Sequence, residues 1–514
     1  MSVEAPAHET DSVPSTEQLD VLVVGAGISG VAAGYHLQHK CPGKTYAILE
    51  GRAAIGGTWD LFRYPGIRSD SDMYTLGFPF RPWDSDTSIA DGQSIREYVR
   101  DTAREFGIDQ KIRFNHRAVR AAWSSEDDLW TVDAERSDTG QTVRFTCRFL
   151  FMCSGYYRYD QGYTPEFPGI EEFRGRVVHP QFWTDDIDYA GKRVVVVGSG
   201  ATAVTLVPSM ADEAAHVTML QRSPSYVVSL PGQDPLARLL RRILPTKLAY
   251  SVVRWKNVLV TSAFYQLSRR RPALVKKLLR KGAQRRLPPG FEVDVHFKPR
   301  YDPWDQRMCL IPDGDLFDAI GRGRVEVATD EIETFTEHGL RLKSGRELEA
   351  DLVITATGLN LQPLGGLEPV IDGQPVDVPR TMVYKGCMFS GIPNFALSFG
   401  YTNASWTLKA DLICQYVCRV INHMDAHGYT SAAPYNRDPS VTETPFVDFT
   451  PGYFLRVMDQ LPKQGSKLPW RLHQNYIRDL GLIKRAPLED GVLEFSGSAS
   501  DRSATGQAAV AAAA

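Results

Sequence analysis

Cysteine is scarce in this chain, and the few residues there are form no pattern. Cys41, Cys147, Cys153, Cys309, Cys387, Cys414 and Cys418 are odd in number and scattered through 514 positions, which excludes a disulfide framework and any zinc-type Cys/His spacing. Cys414 and Cys418 stand one helical turn apart in an apolar run and read as buried core thiols. No metal-ligand set is expected, and a reducing cytoplasm fits this cysteine usage. Also missing is any apolar stretch of the ~20 residues needed to span a bilayer. Neither sign of charge dominates: 58 Lys+Arg face 61 Asp+Glu, a formal net charge of -3, which excludes a globally basic nucleic-acid binder. No internal repeat points to a solenoid. The opening MSVEAPAHETDSVPSTEQ lacks the basic and apolar regions of a signal peptide and is expected to be a disordered lead-in, and the low-complexity SGSASDRSATGQAAVAAAA a disordered tail. The rest is ordinary for a globular chain, 43% hydrophobic and 23% charged.

Against this background two segments stand out. Leu19 to Val24 reads as a buried strand that runs into Gly25-x-Gly27-x-x-Gly30, a helical pattern to about His39, and a second short apolar run ending at Glu50. Strand, glycine turn, helix, strand and an acid about 20 residues on form a compound dinucleotide fingerprint. The glycines let a pyrophosphate approach the helix N-terminus, beside Ile28 and Ser29, and Glu50 can accept from ribose hydroxyls. The second copy has its strand at Val194–Val197 and its turn at Gly198-Ser199-Gly200-Ala201-Thr202-Ala203. Its next strand ends in Gln221 and Arg222, followed by Ser223, where an acid would repel a 2′-phosphate and an Arg can pair with one. The second nucleotide is therefore expected to be NADP(H), unless Arg222 is a plain solvated surface residue. Two fingerprints in one chain imply two dinucleotides, and FAD with NADPH can pass a hydride between them. Ala350 to Gly358, a strand ending in Ala-Thr-Gly, is similar to the strand that returns the chain to the FAD domain in two-dinucleotide flavoproteins.

A disulfide reductase carries a Cys pair just after its first βαβ unit. Here Gly56-Gly57-Thr58-Trp59 stands there, and no Cys follows until Cys147, which argues against that chemistry. GGTWDLFRYPGIRSD, residues 56–70, instead resembles the Gly-Gly-x-Trp, Tyr-Pro-Gly and following Asp of Baeyer–Villiger monooxygenases. Phe173-x-Gly175-x-x-x-His179-x-x-x-Trp183 is similar to the type I signature of that family, with Thr184 where the family prefers Pro or Asp. Longer runs, among them CSGYY, VVGSGATAVTL, DPWDQR, ITATGLNLQ and GYTNASWTLKADL, extend the resemblance from about residue 18 to about 490, toward the family's mycobacterial, ethionamide-activating subgroup.

The resemblance implies an α/β fold of two Rossmann-like domains, the NADP domain inserted in the FAD domain and itself carrying a helical insert. The expected divisions are 1–17 disordered, 18–155 and 352–495 for FAD, 156–351 for NADP with the insert at about 232–300, and 496–514 disordered. It also implies an NADPH- and O2-dependent enzyme that places one oxygen atom beside a ketone carbonyl through a C4a-peroxyflavin, giving an ester or lactone, and that oxygenates the sulfur of thioethers or thioamides. A heteroatom-only flavin monooxygenase and a flavin-bound membrane-surface scaffold are the rival readings. In the family a positive Arg, held by an Asp near the flavin, stabilises the reacting oxygen. These carry over to Arg307 in DPWDQR and Asp70, with Asp72 as rival. Where many relatives have Lys before that Arg, this chain has Gln306, so phosphate recognition leans on Arg222 and Ser223. Gly57, Thr58 and Trp59 belong with the flavin, Trp59 alternatively being plain core. Phe173, Gly175, His179 and Trp183 are expected to couple the domains rather than touch substrate. From Leu236 to Gly290 there is no acid, while Lys and Arg recur among apolar residues at helical spacing. Such a face is either a membrane-surface contact or a solvated face balanced by acids elsewhere. The expected partners are thus a small ketone or sulfur compound, no nucleic acid, and a peripheral membrane contact if the first reading holds, in a cytoplasmic or membrane-associated protein.

Overall fold

The computed structural model describes residues 16–448 and 450–497. Its first sheet grows from the apolar run at the start of the chain. Strand Thr16–Val24 lies between Thr142–Met152 and Tyr46–Leu49, parallel to both. A central parallel strand is buried on both faces, and its period of two divides the side chains between two cores. Val21 and Val23 enter one core and Leu22 and Val24 the other. Beyond Thr142–Met152 the sheet continues as an antiparallel meander through Leu129–Arg136 and His116–Ser124. The chain leaves this unit after Met152 and rejoins its sheet at Glu368–Ile371, parallel to His116–Ser124, and again at Phe395–Leu397, which pairs in parallel with the end of Thr142–Met152.

Between those points lies a second, fully parallel sheet in the order Val325–Thr329, His216–Gln221, Arg193–Val197, Leu352–Thr355, Arg176–Val178. The second unit is thus inserted in the first, and the expected boundary at 351/352 shifts. Leu352–Thr355 pairs with Arg193–Val197 from Leu352↔Val194 to Thr355↔Val197, so it completes the second sheet, and the return begins after it. The two connecting segments, Tyr157–Gly162 and Leu359–Leu361, pair with each other as a short antiparallel ribbon. The expected disorder at 1–17 is also corrected at its end. Thr16 and Glu17 sit in register with Arg144 and Phe145, and Glu17 pairs with Arg113 at 2.7 Å. At the other end Leu493–Ser496 pairs with Ser431–Pro434, so Ser496 is ordered. The remainder of both terminal expectations, 1–15 and 498–514, lies outside the described residues.

The basic segment forms helices Pro235–Ile243, Thr246–Arg270 and Pro272–Arg286. Asp234 caps the first through the Leu236 and Ala237 N–H groups, with Pro235 in the first turn where it costs no hydrogen bond. No helix among the described residues is long and apolar enough to cross a membrane. Much of the segment's charge is taken up by acids on other elements: Arg241 by Asp84 and Asp86, Arg269 by Asp305, Lys276 by Asp302, and Arg280 by Asp294. Arg254 is buried without a carboxylate. Its Nη1 donates to the carbonyls of Tyr74 (2.7 Å), Thr75 (3.2 Å) and Gly77 (2.8 Å), at the C-terminal end of helix Met73–Leu76. Those carbonyls have no partner within their own helix, and the helix dipole favours a cation there.

Arg254 therefore docks the insert onto the first unit. Arg254→Met keeps most of the volume and strands buried carbonyls, which should destabilise the protein by about 2–3 kcal/mol. Thermal unfolding of the flavin-loaded protein checks this, as a clearly lowered midpoint. An unchanged midpoint would mean that the docking rests on the surrounding apolar contacts alone.

Candidate functional site

The two glycine turns open onto one cleft of about 1290 Å³. Helix Ile28–Lys40 starts after Gly27 and helix Ala201–Met210 after Gly200; neither has a side-chain cap nor an acid in its first turn. Their leading N–H groups are thus left for an anion. The first glycine of each turn is required by close packing. At Gly25 (φ +106) a Cβ would lie 2.6 Å from the Cys153 carbonyl, and at Gly198 (φ +141) 2.4 Å from that of Ala356. At Gly200, by contrast, a Cβ would meet nothing within 4 Å, so the space for a pyrophosphate is open. The cradle fits a dinucleotide at each turn. Ile28, Ser29, Gly57, Thr58 and Trp59 line the cleft at the first, and Ser199, Ala201 and Thr202 at the second. Gly30 and Ala203 are buried behind the turns.

Glu50 has a role beyond the one its spacing suggests. It accepts from the Ala26 N–H (2.8 Å) and the Arg52 N–H (3.0 Å), so it braces the first glycine turn as well as facing the cleft. Burial pushes its carboxyl above the ordinary range, against the pull of those two donors. Arg222 and Ser223 are exposed and line the cleft, as do Asp330 and Glu331. Ser199 Oγ donates to the Ser223 carbonyl at 3.0 Å, which fixes Ser223 to the second turn.

Asp70 and Arg307 meet in this cleft, Oδ2 to Nη2 at 2.6 Å. The rival Asp72 is otherwise engaged. It caps helix Met73–Leu76 through the Thr75 N–H (3.0 Å) and accepts from Asn257 Nδ2 (2.7 Å). Burial opposes the charge on Arg307, but Asp70 and the hydroxyls of Tyr453, Tyr156 and Tyr157 outweigh it and hold the guanidinium proton well above its ordinary range. Burial keeps all three tyrosines neutral. The loop that carries Arg307 is stapled to the helical insert by Arg269–Asp305 (2.7 Å) and Lys276–Asp302 (2.6 Å).

None of Phe173, Gly175, His179 and Trp183 lines the cleft. His179 Nε2 donates to the Gly358 carbonyl (3.0 Å) while its Nδ1 accepts from the Gln181 N–H (3.2 Å), a neutral tautomer, and burial lowers its pKa in keeping with that. The ring packs so closely on Gly162 that a Cβ there would lie 2.2 Å from Cε1. His179 thereby clamps both strands of the interdomain ribbon. Phe173 fills a core against Phe335, and a Cβ at Gly175 would strike its ring; Trp183 packs against the core of the second unit. Tyr64-Pro65-Gly66 is likewise a bearing between units, since a Cβ at Gly66 would sit 1.8 Å from Ser209 Oγ on helix Ala201–Met210. Arg68 adds an ion pair across to Asp315 at 2.5 Å.

Sequence reasoning missed the aromatic wall. Trp406 donates from Nε1 to Ser29 Oγ (2.8 Å) and packs against Tyr156 and Phe399. Tyr156 and Tyr157 stood in the quoted CSGYY run without a role, and Tyr453 belongs to no motif. Outside the cleft, His423, His427 and Glu489 lie within metal-ligating reach of one another, a donor set the sequence reading did not name.

With this geometry the chain matches the family described as flavin-binding monooxygenase-like over residues 72–363, and an NAD(P)-binding Rossmann-like domain over residues 23–84. It is 58% identical over 482 residues to the FAD-containing monooxygenase EthA of Mycobacterium tuberculosis, covering 94% of this chain and 98% of that one. It is 47% identical over 483 residues to the probable FAD-binding monooxygenase AlmA of Acinetobacter baylyi, covering 93% and 96%. An open crystal structure of cyclohexanone monooxygenase superposes with a TM-score of 0.72 at 18% identity, over 94% of this chain and 100% of that one. An oxidized steroid monooxygenase bound to NADP superposes with a TM-score of 0.68 at 23% identity, over 81% and 87%. At these identities the solved structures show the shared fold.

The exposed Arg222 generates a test of nucleotide choice. Arg222→Ala should raise the KM for NADPH by about 10–100-fold, the size of a charge-assisted phosphate contact, and leave that for NADH nearly unchanged. Steady-state kinetics with both nucleotides checks this, and an equal loss for both would remove Arg222 from the 2′-phosphate site.

Proposed function

Because this chain belongs to the flavin-binding monooxygenase-like family, with FAD and NADP(H) as its cofactors, O2 as co-substrate and two Rossmann-like domains to hold the nucleotides, we propose that it is a Baeyer–Villiger monooxygenase. It inserts one oxygen atom beside a ketone carbonyl to give an ester or lactone, and it oxygenates the sulfur of thioethers and thioamides. The observation that carries this reading is the Asp70–Arg307 pair in the wall of a cleft that both glycine turns share.

FAD held at the first turn, with NADPH held at the second as hydride donor, would supply the activated oxygen. The chain supports that chemistry with fixed charge and exclusion of water. Gly25 to Ser29, Glu50 and Gly57 to Trp59 hold FAD; Gly198 to Thr202, Arg222 and Ser223 hold NADPH. Arg307 keeps a cation that needs no reorganisation where negative charge develops on oxygen. Asp70 beside it holds the guanidinium in its charged form against the cost of burial. Asp70 fixes the direction of the guanidinium and leaves its other N–H groups free to donate. Tyr156, Tyr157 and Tyr453 close the wall around it with apolar ring faces and neutral hydroxyls, which suits an apolar carbonyl or sulfur substrate and keeps bulk water away from the charge.

Turnover of simple ketones and a thioether under 18O2 with NADPH tests the reading. Ester carrying one labelled oxygen is expected; sulfoxide without any ester would make the enzyme a heteroatom-only monooxygenase. Arg307→Ala should retain FAD, because it touches neither Glu50 nor the glycine turn. It should lose about 10²–10³-fold in ester formation, typical of removing one preorganised electrostatic contact. NADPH consumption should become slow or release hydrogen peroxide. Ester formation near the wild-type rate would dismiss Arg307 from this role.

A further inference from the structure

The helical insert has a second apolar face that the rest of the described molecule leaves half-exposed, meeting it at Trp255, whose ring lies 5.9 Å from that of Tyr476. Helix Thr246–Arg270 buries Ala249, Tyr250, Val253 and Val258 on the side that meets the first unit. Its opposite side presents Leu248, Val252, Trp255 and Leu259, spaced so that they fall in one stripe, each between 42% and 53% exposed. The flanking helices expose pairs of the same kind, Leu239 with Ile243 and Leu274 with Leu278. Isolated exposed apolar residues are ordinary; a stripe sustained over three helical turns marks an interaction surface.

The charges around the stripe say what it meets. Arg242 and Lys247 flank its start, and Arg270, Arg271, Lys277, Lys281 and Arg285 follow its end; all are exposed, and none makes an ion pair with another described residue. No acid occurs between Leu236 and Gly290 to balance them locally. A second copy of the chain is a poor occupant, since two such faces would bring like charges together. An insert that carries an apolar stripe on one helix and unpaired cations at that helix's ends and on the next is instead complementary to an acidic lipid surface, with the apolar side chains below the headgroups and the cations among them. We propose that the insert docks the enzyme on an anionic membrane surface through helix Thr246–Arg270 and the free cations of helix Pro272–Arg286. It lies on the bilayer and does not cross it.

Co-sedimentation of the FAD-loaded full chain with vesicles tests this, using phosphatidylcholine alone and phosphatidylcholine mixed with phosphatidylglycerol, at low and high salt. The wild type should bind the mixed vesicles, less at high salt, and leave the neutral ones. Combined Lys277→Gln, Lys281→Gln and Arg285→Gln should lower the partition on the order of 10²-fold, from the attraction of an anionic leaflet for each cation. Trp255→Ser with Leu259→Ser should remove the part that survives high salt. Both variants should oxidise NADPH in solution as the wild type does, because the side chains changed lie outside the cleft. Wild-type protein that stays in the supernatant with mixed vesicles at low salt would overturn the proposal, as would binding that neither variant weakens. Concentration-dependent self-association, lost in the Trp255→Ser, Leu259→Ser protein without any vesicle binding, would assign the stripe to a second copy and overturn it too.

Discussion

One ion pair joins two separately built halves at the point where they share a cleft. Asp70 comes from the first Rossmann-like unit and Arg307 from the second, and their side chains are 29% and 33% exposed. Burial opposes the Arg307 charge and Asp70 offsets that cost, while the pair is less open to screening than one on the free surface. The rest of the architecture keeps this geometry. Tyr64 to Gly66 bears on helix Ala201–Met210, Arg68 crosses to Asp315, and His179 clamps the ribbon that carries the chain from one unit to the other and back. Arg269 and Lys276 hold the Arg307 loop from the insert, while Arg254 seats the insert on the first unit. The insert thereby links the two halves a second time, by a route independent of the ribbon.

How much of this was legible beforehand depends on how local the chemistry is. The glycine turns and the acid at Glu50 could be read because each sits in a short run whose residue types the chemistry dictates, whereas the pairing of Asp70 with Arg307 was legible only through the resemblance to the family's motifs. The choice between Asp70 and Asp72 could not be made from spacing. It turns on Asp72 capping its own helix and accepting from Asn257, which only the folded chain decides. A buried parallel strand is an apolar run whichever sheet it joins, so the boundary expected before Leu352 falls after Thr355 in the structure. Tyr453 was invisible for a different reason. It comes from a segment with no motif and reaches Arg307 only through the long return of the chain.

The basic insert shows the two physical readings of a charged helix side by side. Some of its cations are structural, turned toward acids on neighbouring elements or toward the carbonyl end of a helix. Others have no partner in the described molecule and border an apolar stripe. A count of charges cannot separate these sets, because the acids that neutralise the first lie far away in sequence, at Asp84, Asp86, Asp302 and Asp305. The same applies to the signature residues. Of Phe173, Gly175, His179 and Trp183, expected to couple the domains, only His179 sits at the joint; the other three pack within the second unit, and none lines the cleft.

A double-mutant cycle on ester formation tests most directly whether Asp70 and Arg307 act as a single unit. With Asp70→Ala, Arg307→Ala and the double variant all retaining FAD, the double variant should be no slower than Arg307→Ala alone, since Asp70 acts only by aiming the guanidinium. Losses that multiply would contradict this, and would mean that the two residues serve the reaction separately.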